Sequence, residues 1–572
     1  MARTLKEVGT VEKSNVETIT TDVLIIGGGA AGCMAAIEAA KAGVRVCIVD
    51  KGRVGRGGSS PTSGAGIAVV YDQENSDVGD NVETHLMDTI NGGENLNDQF
   101  LASVMVEDGC KLIPLMEEWG IDFFRHPTSR DYLRYQLLGH SKPRGYYGVG
   151  SGPVMMEVLR KEAMHRRAKV MEQIMITKIF IKDNKVCGAL GIDVEKEKIL
   201  LFKMNAVILC TGSAVGLYKY ASANFKTMGD GFGLAYDLGC EFGNMEFVEF
   251  TLIAKVGEKV ISSAGISPFI GLGVHFINKN GERFLDRYDP ERMERTTRAR
   301  LVQAVYKENQ DGNGPVLNDP RPVPEEVWDA REKQEGNDQL MGRLKAVGVN
   351  FRKENFEWVP AAHTFLGGVV IGKDCQSPDV SGLFAAGEVA TGFHGANRLS
   401  ANALTECLVF GKRAGTYASR YSLDNDTASL DRDQVESEVD KILGMVDEKG
   451  LSSKEVFGFT QKLQKMAWDK IAVTRNDKNL NDAITWLESE KTSATKVKKW
   501  GDIRHLMELK NLYLVAEMIA RCSLLRKESR GQYLREDYPQ RDDAFLKWTV
   551  LKNVNGKMVF DSKVDGIGKG GE

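Results

Sequence analysis

The stretch from Asp22 to Asp50 constrains this chain more than any other. Asp22-Val-Leu-Ile-Ile26 is a short, β-branched and apolar run, the pattern of a parallel strand buried on both faces. Gly27, Gly29 and Gly32 follow at the G-x-G-x-x-G spacing, and a helical run continues to Lys41. The first glycine permits a tight turn, the second lets backbone approach a pyrophosphate, and the third lets the helix pack on the strand. The helix N-terminus supplies unpaired N–H groups and a dipole that favours an anion. A second strand, Val44-Arg-Val-Cys-Ile-Val49, ends at Asp50, where an acid holds a ribose hydroxyl. Strand, helix, strand and terminal acid in this order predict a dinucleotide site in an α/β fold.

Three distant segments extend the pattern. Ala206-Val-Ile-Leu-Cys-Thr-Gly212 is another apolar strand, ending at Thr211 and Gly212. Ser381-Gly-Leu-Phe-Ala-Ala-Gly-Glu388 ends in an acid, and Gly229-Asp230-Gly231 is a glycine turn. Taken singly, each is only a strand or turn with glycine at its end.

At 572 residues the chain can hold two or three domains with a sizeable core. A net charge of −4, with no basic run in a phosphate-reading context, gives no argument for nucleic acid. The longest apolar runs fall short of the roughly 20 residues that a membrane helix needs. Met1 to Thr21 is polar and mixed in charge, so a cytoplasmic location is expected. Nine cysteines without a C-x-x-C pair predict neither a disulfide framework nor a metal or cluster site.

Phe393-His394-Gly-Ala-Asn-Arg398-Leu-Ser-Ala-Asn402-Ala403-Leu404, with His363-Thr-Phe-Leu-Gly-Gly368 and Gly27 to Gly32, resembles the flavoprotein subunits of succinate dehydrogenase and fumarate reductase. L-aspartate oxidase belongs to the same family, and the adenylylsulfate reductase flavoprotein is a distant relation. The resemblance runs from about residue 20 to about residue 550. It implies an FAD-binding, Rossmann-like domain at 18–245 and 356–423, interrupted by a capping, substrate domain at 246–355. A β-rich excursion is expected from Val170 to Leu201, a helical C-terminal domain at 424–545, and a tail at 546–572 with a disordered end. Glu528-Ser-Arg-Gly531 and Arg535-Glu-Asp-Tyr-Pro539 resemble that helical domain.

The implied cofactor is FAD, held by Gly27, Gly29, Ala31, Gly32, Asp50, Lys51, Ser59, Ser60, Gly66, Thr211, Gly212, Asp230, Glu388, Ala403 and Leu404. The implied chemistry is hydride transfer between flavin N5 and a carbon next to a carboxylate, with proton transfer on the opposite face. Arg398 matches the family's carboxylate-binding arginine, His363 its substrate histidine, and His394 stands beside them. Arg298 falls at the proton-donor position of an Arg-Asp-x-Val-x-x-Ala pattern, although Ala299 replaces the acid, and Arg300 is the alternative.

Two departures matter. Relatives follow Met-Glu-Phe-Val-x-Tyr with a His-Pro-Thr that holds a second carboxylate, whereas this chain reads Met245-Glu-Phe-Val-Glu-Phe250, then Thr251-Leu-Ile253. The family's Thr-Glu-Gly element is not recognisable between Ile261 and Gly273. Half of a dicarboxylate clamp is therefore missing, and the expected substrate offers a single carboxylate-like group or an enoyl to the site; Thr251, where the family has that histidine, is the expected contact to a neutral carbonyl or amide, beside His363, His394 and Arg398. In addition, Ser59 stands where membrane-bound relatives carry the flavin-linking histidine, so the FAD is expected to be non-covalent. The resemblance implies an iron–sulfur, ferredoxin-like partner. The alternatives are a stand-alone oxidase of the aspartate oxidase type, an adenylylsulfate reductase-like flavoprotein, or a non-catalytic electron-relay subunit.

Overall fold

The computed structural model describes residues 16–71, 76–224, 226–261, 267–333, 339–490 and 495–564. Its organising element is a five-stranded parallel sheet in the order Leu383–Ala385, Ala206–Leu209, Val23–Ile26, Val46–Asp50 and Lys169–Glu172. Parallel strands need cover on both faces, which explains why Val23, Leu24 and Ile25 are apolar without alternation and fully buried. The helix Ala30–Lys41 returns along the sheet and packs on the long helix Asn402–Asp424. That contact joins the two sequence halves of the flavin domain. The β-rich excursion forms a second sheet, in which Ile174–Lys182, Lys185–Asp193 and Lys198–Lys203 pair antiparallel and Val16–Thr20 closes the edge.

The inserted segment has its own five-stranded antiparallel sheet: Lys259–Ile261, Val248–Val256, Glu357–Phe365, Val316–Asp319 and His275–Ile277. Its core is aromatic, with Phe269 in edge contact with Trp328, Phe351, Phe356 and Trp358, and Phe276 stacked on Trp358 at 5.8 Å. This sheet moves a boundary. The expected return to the flavin domain at 356 falls too early, because Glu357–Phe365 pairs along most of Val248–Val256 and is a central strand of the insert.

Among the described residues four α-helices follow, Arg432–Leu443, Ser453–Lys470, Asp477–Glu490 and Ile503–Leu525. The expected tail at 546–572 is corrected over its first part. Trp548–Val554 and Lys557–Lys563 form a hairpin that pairs with Phe242–Gly243. Asn555 and Gly556 both have positive φ, as a two-residue hairpin turn requires. Arg526 fastens this end to the start of the insert, donating from Nε to Glu246 Oε1 at 2.6 Å and from Nη1 to Glu528 Oε1 at 2.9 Å. The expectation for the final residues, from 565 onward, lies outside the described residues. Among the described residues no helix is long and apolar enough to cross a membrane.

Candidate active site

A cavity of about 440 Å³ runs from the glycine turn after Val23–Ile26 to the loop that carries Arg398. At its first end Gly27 has φ of +106°, and a Cβ there would lie 2.2 Å from the Cys210 carbonyl oxygen. A Cβ on Gly32 would lie 1.9 Å from the Gly27 carbonyl oxygen, so helix and turn fit only without side chains. Gly32 lies behind the cavity wall, and Gly27, Gly29 and Ala31 line it. The N-cap of Ala30–Lys41 is Gly29, which offers no side-chain acceptor; the Ala30 N–H donates to Ser60 Oγ at 3.1 Å. Asp50 accepts from the Gly28 N–H at 2.8 Å and the Gly52 N–H at 2.6 Å, which aims its carboxylate at the cavity rim.

Lys51 is held by Asp230 and Glu508 at 2.6 and 2.7 Å, and both Lys51 and Asp230 line the wall. Ser59, Ser60, Gly66, Gly212, Ala403 and Leu404 also face the cavity, as does Thr211, whose Oγ1 is buried without a hydrogen-bond partner. Deeper in, Glu388 accepts from the Thr364 hydroxyl at 2.7 Å and the Phe365 N–H at 2.9 Å, and burial raises its pKa. Glu406, which lines the same stretch, is pushed by burial up to about 8 and so holds a proton at neutral pH. An elongated cleft with a bare helix N-terminus, an aimed acid and an unpaired hydroxyl fits a dinucleotide flavin. Among the described residues, no group of three or more His, Cys, Asp or Glu is placed to hold a metal ion.

The far end gathers the expected chemistry. Arg298, His363, His394 and Arg398 all line the cavity. Arg298 opens the helix Arg298–Gln310, whose N-cap Thr297 accepts from the Arg300 N–H. Arg300 points elsewhere: it is exposed and lies 3.6 Å from Asp289. His363 sits near the end of Glu357–Phe365, with Nδ1 2.6 Å from Ser222 Oγ. The same hydroxyl reaches the Ala362 carbonyl at 3.3 Å; when its proton goes instead to the shorter His363 contact, Nε2 keeps its proton for the cavity. Burial drives both His363 and His394 down to about 3, so each imidazole is neutral before substrate arrives. Arg398 is buried, donating from Nη1 to the Leu399 carbonyl and from Nη2 to Glu249, with its Nε unpaired.

One expected substrate contact is not brought to the site. Thr251 pairs with Ala361 inside the insert sheet and does not line the cavity. A bulge between Glu249 and Phe250 re-aims the strand just before it. Residues 262–266, part of the stretch searched for a Thr-Glu-Gly element, lie outside the described residues. Two contributors escaped the sequence reading. Ser222 gave no signal. Glu249 gave one, an acid set among Phe247, Val248 and Phe250.

The sequence matches the FAD binding domain family over residues 22–404 and the fumarate reductase flavoprotein C-terminal family over residues 460–564. The chain belongs to the succinate dehydrogenase/fumarate reductase flavoprotein family. It is an FAD-dependent oxidoreductase. Among flavoproteins of this kind it is 33% identical over 554 residues to an uncharacterized FAD-dependent oxidoreductase of Methanocaldococcus jannaschii, covering 95% of this chain and 98% of that one. It is 32% identical to a chain of the CoM/CoB fumarate reductase of Methanothermobacter marburgensis, over 94% and 97% of the two sequences. Its fold superposes on Mycobacterium smegmatis Sdh1, solved in complex with UQ1, with a TM-score of 0.86, 26% identity and coverage of 96% and 95%.

Proposed function

We propose that this chain is the flavoprotein subunit of a fumarate reductase-like enzyme. It would exchange hydride with a substrate that presents one carboxylate-like group, and pass electrons to an iron–sulfur partner in the cytoplasm. One observation carries the reading: Arg298, His363 and Arg398, drawn from three separate stretches, converge at one end of the flavin cavity. A relay subunit needs no such convergence.

Bound flavin supplies hydride exchange at N5. The chain's residues do the rest. Arg398, planar and buried, is suited to grip a carboxylate through two N–H groups. His363, oriented by Ser222, donates its remaining N–H to the same group, and together they stabilise charge that builds there in the transition state. Arg298 stands at the mouth of the insert helix to deliver the proton to the second carbon.

The fumarate reductase relative pulls the substrate toward fumarate. Against that, Thr251 supplies no imidazole to the cavity, and a charge-assisted contact is worth roughly 1.5–3 kcal/mol. Turnover with reduced viologen should therefore be faster with an enoyl monocarboxylate than with fumarate. Fumarate turnover at tens per second with a micromolar KM, on the ordinary enzyme scale, would show that another group completes the clamp.

A further inference from the structure

One buried acid at the substrate end plays no part in holding the cofactor. Glu249 is fully buried on Val248–Val256, and its Oε1 accepts from both Arg298 Nη1 and Arg398 Nη2, the latter at 2.8 Å. Its Oε2 and the Nε of each arginine are buried and without hydrogen-bond partners. An acid among aromatic and aliphatic neighbours is costly unless cations hold it, and here two do. Burial opposes ionisation, yet Arg398 and Arg298 prevail and hold the carboxyl at about 2. With His363 and His394 neutral, the cluster carries two positive charges and one negative. Glu388, in the same cavity, adds no cation and can only lower that balance.

We infer that Glu249 is a specificity-determining residue: as resident counter-anion of Arg298 and Arg398, it leaves the site at most one positive charge and so selects a substrate with one negative charge over a dianion. This rests on the proposed assignment of Arg398 and His363 to a substrate carboxylate. A monoanion brings the buried cluster to neutrality. A dianion leaves a surplus negative charge where the dielectric is low, next to a carboxylate that cannot move out of its strand.

The test titrates the flavin-loaded protein and its Glu249→Gln variant with fumarate and with monomethyl fumarate, following the visible difference spectrum of the flavin. Wild type should bind the monoester about tenfold or more tighter than fumarate. Glu249→Gln should shrink that ratio by about tenfold or more, mainly through tighter fumarate binding. An unchanged ratio overturns the inference and leaves the carboxylate assignment standing. Wild type that binds fumarate as tightly as the ester overturns it as well, whether or not the variant folds. If flavin stays bound and neither ligand perturbs it in either protein, the assignment of Arg398 and His363 fails and the inference falls with it.

Discussion

Ser222 Oγ lies 2.6 Å from His363 Nδ1, and that contact orients the imidazole that faces the substrate end of the cavity. Ser222→Ala removes it and leaves the ring free to turn. The expected outcome is a KM raised by about 1 kcal/mol, near fivefold, with flavin content unchanged. Steady-state kinetics beside flavin absorbance checks it. An unaltered KM would show that packing alone orients His363.

Arg398→Ala should abolish turnover with the flavin still bound. The guanidinium lies at the substrate end, far along the cavity from the glycine turn, and loss of a cation that stabilises the transition state costs on the order of 3 kcal/mol or more. Wild-type rates in a yellow variant would remove Arg398 from the chemistry.

Gly32→Ala should yield protein without flavin. A methyl group 1.9 Å from the Gly27 carbonyl must push the helix Ala30–Lys41 off the strand and spoil the pyrophosphate turn. Stoichiometric flavin in this variant would contradict the geometry.

The flavin should be released by acid. Ser59 lines the cavity where a linking histidine stands in membrane-bound relatives, and a serine forms no such bond to flavin. After acid precipitation the yellow colour should stay in the supernatant. Fluorescence that travels with the denatured polypeptide on a gel would refute it.

Acid should destabilise the protein early. Burial holds His85, His140, His363 and His394 at about 3, 4, 3 and 3, against an ordinary value of 6.5. Their folded pKa values are depressed, so the unfolded chain takes up as many as four more protons once pH falls below about 6.5. Stability is then lost by up to about 5 kcal/mol per pH unit between roughly pH 6 and pH 4. Melting curves at pH 7.5, 6.5 and 5.5 should show the decline beginning near 6.5. A melting temperature that is flat down to pH 4.5 would contradict the buried, neutral imidazoles.

The nucleotide half was legible in the sequence because it is local: strand, glycine turn, helix and acid lie within about thirty residues, and each constraint acts on its neighbours. The placement of His363 was less legible. Its strand looks like the start of the flavin domain, and only the long-range pairing of Glu357–Phe365 with Val248–Val256 assigns it to the insert. The C-terminal hairpin was missed although Asn555-Gly556 is a strong turn signal, because the flanking residues lack a clean alternation. Thr251 was placed at the substrate by its position in a motif, and the bulge at Glu249 and Phe250 could not be seen in one dimension.

Glu249, Arg298 and His363 all lie between Val248 and Phe365, on one inserted sheet and its helix, whereas Arg398, His394 and Glu388 come from the flavin domain. The two groups are therefore separable by heredity. A single crossover segment transplanted from a relative would exchange the proposed proton donor, counter-anion and substrate histidine together, while the cofactor cradle stayed in place. Such chimeras would let one redox scaffold be refitted to a new acid without rebuilding the scaffold itself.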